Sequence, residues 1–365
     1  MRILLLGEFS SLHFNLKHGL QTLGHEVILA SSGDGWKRIP NDIDLGTERK
    51  GLRGKIFKIL KIVKALPKFK GFDIVQIIQP KVFSNSVILN YLVIKFILFF
   101  NKKLFLVGAG GATNNSYIAD YLQYKHPYKD YYSAIAGDSS ILWSQTLVGR
   151  KYNKWLNRVI SGYIPIMYEY AEGYRQVVYS KLCNTIPIPI DVESIEYGEN
   201  VFDGKVVFFH GLNNEKQKGT YLIRKAMENL KARFPDLVEV IVEGNMPLSD
   251  YMHLLRRVNV VVDQAYSISY GVNALYSMAM GKIVIGGGEP ECLEEFGLSN
   301  SPIIPVKPSV SDIENKLLYV LENRSKIQDL GLESRRYVLR NHSSVIVAEK
   351  YIQNWFGENK SCCRE

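Results

Sequence analysis

The stretch VVVDQAYSISYGVNALYSMAMGKIVIGGG, residues Val260–Gly288, decides the fold. An apolar run ends at Asp263, a loop of small residues leads into a helical pattern over Val272–Met280, and a second apolar run over Ile283–Ile285 ends in three glycines. Strand, helix and strand in this order predict a βαβ unit with parallel strands. Ligands of such sheets bind beyond the carboxyl ends of the strands. Because a helix starts there, the loop predicts an anion site suited to a phosphate group.

Apolar runs alternate with helical patterns in both halves of the chain. In the first half, strands are predicted at Arg2–Leu6 and His25–Ala30, with a helix over Leu12–Leu23 between them. In the second half, a strand at Lys205–Phe209 precedes a helix over Tyr221–Phe234. At 365 residues the chain is too long for one ordinary core. We therefore predict an α/β protein of two doubly wound, Rossmann-like domains that face each other across a cleft.

The composition limits the classes of partner. The chain has 45 Lys and Arg residues against 36 Asp and Glu residues, a formal net charge of +9. Such a balance suits nucleic acid, an anionic membrane surface or small anionic ligands. Zinc-finger spacings and RNA-binding aromatic motifs are missing from the sequence, so we expect no nucleic acid partner. The four cysteines lack metal-ligand spacing, and Ile3–Leu6 is too short for a signal peptide, which indicates a cytoplasmic protein.

One segment interleaves basic and apolar residues. Lys50–Lys70, KGLRGKIFKILKIVKALPKFK, has this pattern at helical spacing. It predicts either a surface helix with a solvated basic face or a helix that attaches the protein to anionic lipid on the cytoplasmic face of the membrane. Val87–Phe100 is strongly apolar but too short to span a bilayer, which takes roughly 20 residues. We expect it to be a helix that is buried in the fold or pressed against the membrane.

Four stretches together resemble parts of a known family. They are IPIPID at Ile186–Asp191, HGLNNEKQKG at His210–Gly219, YGVNALYSMAMGKIVI at Tyr270–Ile285 and HSSVIVAEKYIQNW at His342–Trp355. In that order they resemble the hinge, the lysine loop, the donor-site helix and the terminal helix of the GT-B glycosyltransferases. The likeness is in particular to the large retaining group, family 4 or group 1, which uses nucleotide sugars. The resemblance covers most of the chain.

The resemblance implies a function and a domain plan. The function is transfer of a sugar from a UDP- or GDP-linked donor to a glycan or lipid-linked acceptor in cell-surface polysaccharide synthesis. The plan is an acceptor-side domain over 1–185, a donor domain over 186–341, and, over 342–365, a terminal helix that crosses back to the first domain plus a polar tail. We expect no cofactor besides the donor substrate. We also expect no metal, because the Asp-x-Asp triplet Asp42–Asp44 is predicted to lie in a loop.

The donor site is predicted from these motifs and from strand ends. The resemblance places Lys218 on the donor diphosphate, where a positive charge stabilises the leaving group. His210 ends a predicted strand and is either a donor contact or a structural histidine. The complete set of predicted donor-binding residues is His210, Lys216, Lys218, Glu243, Tyr270, Gly271, Val272, Asn273 and Tyr276.

Predicted acceptor-side residues follow strands of the first half. They are Gly7, Ser10, Asp34, Gly110 and Gly111. The glycine pair lies in a cluster that is either a close approach to a ligand or a tight turn. A retaining reaction would need no protein nucleophile, whereas an inverting reaction would need a base. His13 is the predicted catalytic base, and the alternative is a residue that caps a surface helix.

The sequence departs from the family pattern at the donor site. Tyr276 stands where the ribose-binding acid is usual, and Ile268, eight residues earlier, stands where its acidic partner is usual. Leu212-Asn213-Asn214 replaces an expected arginine. Two alternatives follow: a transferase with altered donor binding, or a catalytically silent homologue that binds a nucleotide sugar or partners another transferase. A sugar-nucleotide epimerase of the same fold is a weaker third alternative.

Overall fold

The chain divides into two compact units. The computed structural model describes residues 1–109, 125, 143, 146–175, 181–212, 215–244, 246 and 248–357. Of the described residues, the first unit holds 1–109, 143, 146–175, 181–189 and 344–357, and the second holds 125, 190–212, 215–244, 246 and 248–343. The long stretch of the second unit thus begins after Pro189 and ends at Ser343, where the sequence predicted boundaries after 185 and 341.

The described part of the first unit contains a six-stranded parallel sheet. Its strands are β1 (Arg2–Leu6), β2 (Glu26–Ser31), β3 (Ile43–Asp44), β4 (Ile74–Ile77), β5 (Lys103–Gly108) and β6 (Gly162–Pro165). The spatial order β3-β2-β1-β4-β5-β6 is that of the Rossmann fold. The order reverses between β1 and β4, so a ligand site is expected beyond the carboxyl ends of these two strands.

The second unit contains a five-stranded parallel sheet within the described residues. Its strands are β7 (Val206–Gly211), β8 (Val238–Glu243), β9 (Val260–Val262), β10 (Ile283–Gly286) and β11 (Ile304–Pro305). The order β8-β7-β9-β10-β11 is the other common doubly wound arrangement, 2-1-3-4-5. Here the reversal lies between β7 and β9, where Phe208 pairs with Val260.

Helices connect the strands in both units. In chain order they are α1 (Leu12–Thr22), α2 (Gly51–Ala65), α3 (Val87–Phe100), α4 (Leu147–Val159), α5 (Tyr168–Arg175), α6 (Glu215–Lys218), α7 (Thr220–Arg233), α8 (Leu248–Arg256), α9 (Val272–Ala279), α10 (Pro290–Glu295), α11 (Val310–Glu322), α12 (Ile327–Asn341) and α13 (Ser344–Phe356). The predicted βαβ unit is β9, α9 and β10. Among the described helices, none is long and apolar enough to cross a bilayer.

Helices cover both faces of the first sheet. Successive side chains of β1 point to opposite faces, as in any strand. On one face Leu4 and Leu6 pack with residues of α2, α3 and α4, including Ile62 and Ile94. On the other face Ile3 and Leu5 pack with α1 and with α13, which contributes Val347, Ala348, Tyr351 and Trp355. The last described helix of the chain therefore completes the core of the unit that begins at Met1.

The second unit has its own core. Alternate residues of its strands, such as Phe208, Val260 and Ile285, pack against α7 and α11 on one face of the sheet. On the other face α9 packs against α12, and both contact β10. This placement holds the first turn of α9 beside the carboxyl ends of β7 and β9.

Candidate functional site

Three polar side chains meet at the reversal point of the second sheet. Lys218 Nζ donates a hydrogen bond to Asp263 Oδ1 at 3.0 Å, and Asn273 Nδ2 donates to the same oxygen at 3.0 Å. Asp263 directly follows β9, Lys218 ends α6, and Asn273 lies in the first turn of α9. The structure thus brings together two predicted donor-binding residues, Lys218 and Asn273, through a carboxylate that the predicted set did not include.

The electrostatics of this cluster favour a charged pair. Burial alone would raise the pKa of Asp263, but the Lys218 ammonium and the hydrogen bond from Asn273 bring that pKa below its ordinary value. The two side chains are only 12% and 3% exposed, so solvent screens their attraction weakly. Asp263 is therefore ionised at neutral pH and orients Lys218 at the edge of the sheet.

The start of α9 offers backbone donors at the same edge. Gly271 is the N-cap residue of α9. Among the described residues, no side-chain hydrogen bond caps this end of the helix. Val272 and Asn273 follow, and all three residues are half-buried. Helix N-termini carry unpaired N–H groups and partial positive charge. These amides lie at the same sheet edge as Lys218, and both kinds of group are ones that stabilise anions.

Tyr251 of α8 positions Asn273. Its hydroxyl donates to Asn273 Oδ1 and lies 3.4 Å from Ser277 Oγ. Burial raises the pKa of Tyr251, so the hydroxyl stays protonated and continues to donate. With its oxygen occupied, the Asn273 amide keeps its nitrogen directed at Asp263. The sequence offered no signal for Tyr251, because it lies in an ordinary helical pattern.

The loop before α9 packs closely on the glycines that follow β10. A side chain on Gly287 would overlap the carbonyl oxygen of Ser269. Gln264 Nε2 donates to that same carbonyl at 2.9 Å. Lys125, which is fully buried, pairs with Glu289 and donates to Ser267 O at 3.3 Å. These contacts hold the loop in one conformation at the helix start.

His210 is buried and hydrogen-bonded at both ring nitrogens. It is fully buried in β7, its Nδ1 lies 2.6 Å from Val262 O and its Nε2 lies 2.8 Å from Thr220 Oγ1. A carbonyl only accepts, so Nδ1 carries the proton and Nε2 accepts from the threonine hydroxyl. Burial, with the charge of Lys218, lowers the pKa of His210 to about 4. Both ring nitrogens are occupied, which weighs against its predicted contact with a donor and favours the alternative.

Tyr270 also points into the core. It is 2% exposed, and its hydroxyl lies 2.7 Å from Tyr337 Oη and 3.0 Å from His342 Nε2. Burial raises the pKa of Tyr270 well above its ordinary value. The aromatic ring therefore ties the loop to α12, and this geometry weighs against the predicted direct contact with a ligand.

The remaining predicted donor residues lie around the cluster. Lys216 and Glu243 are exposed, on α6 and at the end of β8, and Tyr276 is half-buried on α9. Within the described residues, none of the three has a hydrogen bond to the Lys218–Asp263 pair. Their roles as donor contacts stay predictions.

The carboxyl edge of the first sheet holds a second polar group. Ser10 N donates to Asp34 Oδ2 at 2.8 Å, and Lys37 Nζ lies 2.7 Å from both that oxygen and Ser10 Oγ. Ser10, Ser11 and Asp34 have φ of 52°, 65° and 54°, a left-handed conformation that costs free energy for residues other than glycine. Two predicted acceptor-side residues, Ser10 and Asp34, therefore contact each other, with Lys37 as an unpredicted third member.

His13 lies beneath this edge and not on the surface. It is fully buried, its Nδ1 lies 2.8 Å from Gly7 O and its Nε2 lies 3.1 Å from Gln76 Nε2. Gln76 in turn accepts from Trp355 Nε1 at 3.2 Å. Burial lowers the pKa of His13 to about 4, which is low for a base that works near neutral pH. The geometry weighs against both the predicted base and the predicted surface cap.

Glu8 is a second ionisable group at this edge, after Lys37, that the sequence did not predict. Its carboxylate accepts from the backbone N–H groups of Phe9 at 2.7 Å and Phe14 at 2.8 Å, so it caps the start of α1. Burial raises the pKa of Glu8 to about 7 despite these bonds. Gly7, beside it, has a φ of 84° and packs against Val82 and Ile78 so closely that a side chain would not fit.

Known proteins resemble this chain in structure only. No family model and no curated protein sequence matches it. HepE from Anabaena, solved in complex with UDP and glucose, is 10% identical, covers 98% of this chain and 99% of its own, and superposes with a TM-score of 0.64. The chain has the GT-B fold. The fold predicted from the four motifs is thereby confirmed.

Two further GT-B structures extend the comparison. Sucrose-phosphate synthase from Thermosynechococcus elongatus is 14% identical, with coverage of 97% of this chain and 98% of that one and a TM-score of 0.59. A putative UDP-N-acetylglucosamine 2-epimerase from Listeria monocytogenes is also 14% identical, with coverage of 98% and 97% and a TM-score of 0.57. At this identity the likeness establishes the GT-B fold and leaves the activity to the site itself.

Two predicted acceptor-side residues, Gly110 and Gly111, lie outside the described residues.

Across the part of the chain that is described, no three His, Cys, Asp or Glu residues lie close enough to hold a metal ion. The prediction that Asp42–Asp44 lies in a loop was wrong in part, since Ile43–Asp44 forms β3 by pairing with β2. Both carboxylates of this triplet pair with lysines, Asp42 with Lys17 at 2.5 Å and Asp44 with Lys61 at 2.6 Å.

Proposed function

We propose that the protein transfers a sugar from a nucleotide-sugar donor, linked to UDP or GDP, to a glycan or lipid-linked acceptor. The observation that carries this proposal is the Lys218–Asp263–Asn273 cluster beside the start of α9. It lies where doubly wound sheets bind phosphorylated ligands. HepE, which shares the GT-B fold, has been solved with UDP-glucose.

The cluster has a specific role in the proposed reaction. As the bond between sugar and diphosphate breaks, negative charge grows on the diphosphate. Lys218 and the amides of Gly271, Val272 and Asn273 stabilise that charge without rearranging, because Asp263 already orients the lysine. Asp263 is a positioning residue in this scheme, and its ionised state keeps the lysine side chain in place.

The acceptor side of the proposal rests on the first unit. Ser10, Asp34 and Lys37 present a hydroxyl, a carboxylate and an ammonium at the carboxyl edge of β1 and β2. Such groups hydrogen-bond sugar hydroxyls. We further propose that the acceptor belongs to cell-surface polysaccharide synthesis and that the protein works at the periphery of the membrane.

Labelled UDP- and GDP-sugars test the proposal directly. The expected result is slow release of the labelled sugar to water, and faster transfer once a suitable glycan or lipid-linked acceptor is added. Calorimetry should show binding of UDP or GDP in the absence of acceptor. Absence of any nucleotide binding would contradict the proposed donor site altogether.

A catalytically silent homologue is the second candidate. Two observations favour it: Lys218 is already neutralised by buried Asp263, and Tyr276 stands in place of a ribose-binding acid. Under this alternative, the protein binds a nucleotide sugar and leaves it intact. Turnover of any donor would exclude the silent homologue. If the sugar were changed into its epimer instead of being released or transferred, the activity would be epimerisation.

A further inference from the structure

The outer surface of α2 is both apolar and basic. The side chains that face inward along this helix are few and small or medium in size: Gly54, Ile62 and Ala65. Five large apolar side chains instead face outward, with exposed fractions between 42% and 74%, and they are Leu52, Ile56, Ile59, Leu60 and Val63. Their helical spacing places them along one stripe. A contiguous exposed stripe of this kind marks an interaction surface.

Helix α3 also carries large exposed apolar side chains. Ile88, Leu92 and Phe99 are 71%, 57% and 80% exposed. Both helices pack on the same face of the first sheet. The chain that follows α2 meets the carboxyl end of α3, since the Lys70 ammonium is 4.2 Å from the centre of the Phe100 ring and Gly71 N donates to Phe100 O at 3.1 Å. We call the outward-facing apolar and basic side chains of the two helices the α2–α3 surface.

Positive charge is concentrated in the same segment. From Arg49 to Ala109 the sequence has thirteen Lys and Arg residues and one acidic residue, Asp73, so its formal charge is 13 − 1 = +12. Since the whole chain carries +9, the remainder carries 9 − 12 = −3. The excess of basic residues therefore belongs to this part of the chain.

Most basic side chains of α2 are available to a partner. Lys61 is bound to Asp44. Among the described residues, no carboxylate lies within ion-pair distance of Arg53, Lys55 or Lys64. These cations border the exposed apolar stripe, so the helix presents an apolar strip with unneutralised positive charge beside it.

We propose that the α2–α3 surface binds an anionic lipid bilayer, with α2 lying in the plane of the interface. The apolar stripe would enter the boundary between headgroups and acyl chains, while Arg53, Lys55 and Lys64 contact anionic headgroups. Charge complementarity favours the bilayer over a second copy of the chain, because two such basic surfaces repel each other. The inference is independent of the transferase activity proposed above.

Sedimentation of the full chain with vesicles tests the proposal. Binding is expected to vesicles that contain phosphatidylglycerol, to fall as salt is raised, and to be weak with phosphatidylcholine alone. Arg53→Gln with Lys55→Gln should lower the partition coefficient about 25-fold, since each basic residue near the surface contributes about fivefold. Ile56→Ser with Leu60→Ser should lower it about tenfold or more at every salt concentration.

Matched variants on the second unit serve as controls. Lys225→Gln with Lys231→Gln removes the same charge from exposed positions of α7, and Tyr319→Ser removes a half-exposed aromatic ring from α11. Vesicle binding should be unchanged in both, and circular dichroism with thermal melts verifies that every variant is folded. Equal binding to neutral vesicles, or equal losses in the controls, would overturn the proposal. So would a dimer in sedimentation velocity that Ile56→Ser with Leu60→Ser dissociates while vesicle binding persists, because a second copy would then cover the surface.

Discussion

Lys218 and Asp263 are separated by 45 residues and meet at 3.0 Å, so the proposed donor site depends on one long-range ion pair. Replacing Lys218 by Ala removes the charge that would hold the diphosphate. We expect UDP and GDP to bind more weakly by about 1.5–3 kcal/mol, the range for a hydrogen bond to a charged group. Isothermal titration calorimetry measures this loss.

An exposed lysine outside the predicted donor-binding set provides the matched control. Lys225 is exposed on α7, and Lys225→Ala should change affinity much less. Because Lys218→Ala leaves Asp263 buried without a partner, Lys218→Ala with Asp263→Asn should be prepared as well, and it should lose binding to a similar degree. Unchanged affinity in both Lys218 variants would mean that the phosphate site lies elsewhere.

His210 makes stability depend on pH. Its pKa is lowered to about 4 by burial, so the folded protein resists a proton that the unfolded chain accepts near pH 6.5. The stability that neutral His210 contributes is therefore fully present above the unfolded pKa and is lost as pH falls from there towards 4. Relative to His210→Gln, the wild type should lose about 2 kcal/mol of unfolding free energy between pH 7 and pH 5. Urea unfolding at each pH measures the difference. If the unfolding free energies of wild type and His210→Gln changed in parallel with pH, His210 would not have the lowered pKa described here.

At the residue scale, the sequence predicted where functional side chains lie better than it predicted what they contact. Asp263, Lys218 and Asn273 all follow or precede elements whose periodicity is clear, so their location at the sheet edge could be predicted. Whether a side chain at a strand end points to solvent or to the core depends on packing partners far away in sequence. His210 bonds to Thr220 and Val262, and Tyr270 bonds to residues of the carboxyl-terminal part of the second unit, which no local pattern reveals.

The crossing of α1 and α13 is the element-scale feature most open to test. A side chain at Gly19 would overlap the backbone carbonyl of Ser344. Gly19→Ala should therefore lower the unfolding free energy by about 1–3 kcal/mol or more, as expected for overpacking against rigid backbone. Thermal and denaturant unfolding both report this loss.

Gly198→Ala is the matched control for this substitution. Nothing lies within 4 Å of the position that its side chain would occupy. It should be neutral or slightly stabilising, because alanine restricts the unfolded chain more than glycine does. If the two variants melted together, α1 and α13 would not cross as closely as described.

Helices and strands with strong hydrophobic periodicity were predicted well, and those with weak periodicity were missed. Val87–Phe100 and Val260–Val262 have the predicted bounds, because a long apolar run or a β-branched run has one dominant interpretation. Helix α4 and strand β6 follow a polar, tyrosine-rich region and were not predicted. Strand β3 has two residues and exists because Ala30 and Ser31 of β2 pair with it, a contact that sequence periodicity does not record.

At the scale of the whole molecule, the two units have separate cores and should respond separately. UDP at a hundredfold excess over its dissociation constant should stabilise the unit that binds it by about 2.7 kcal/mol. Hydrogen exchange should then slow in β7, β9 and α9. Gly19→Ala should instead accelerate exchange in β1, α1 and α13 and leave UDP affinity unchanged. Uniform changes across both units in either experiment would contradict two separate cores.

The route of the chain through the two units has a consequence for biosynthesis. The first unit needs Val347, Tyr351 and Trp355 to close one face of its sheet, and these residues are synthesised after residues 190–343 of the second unit. Of the two units, the first should therefore mature later, with the β1 face of its sheet open until α13 has left the ribosome. A nascent chain stalled after Ser343 should already protect β7 and β9 from proteolysis while β1 remains sensitive.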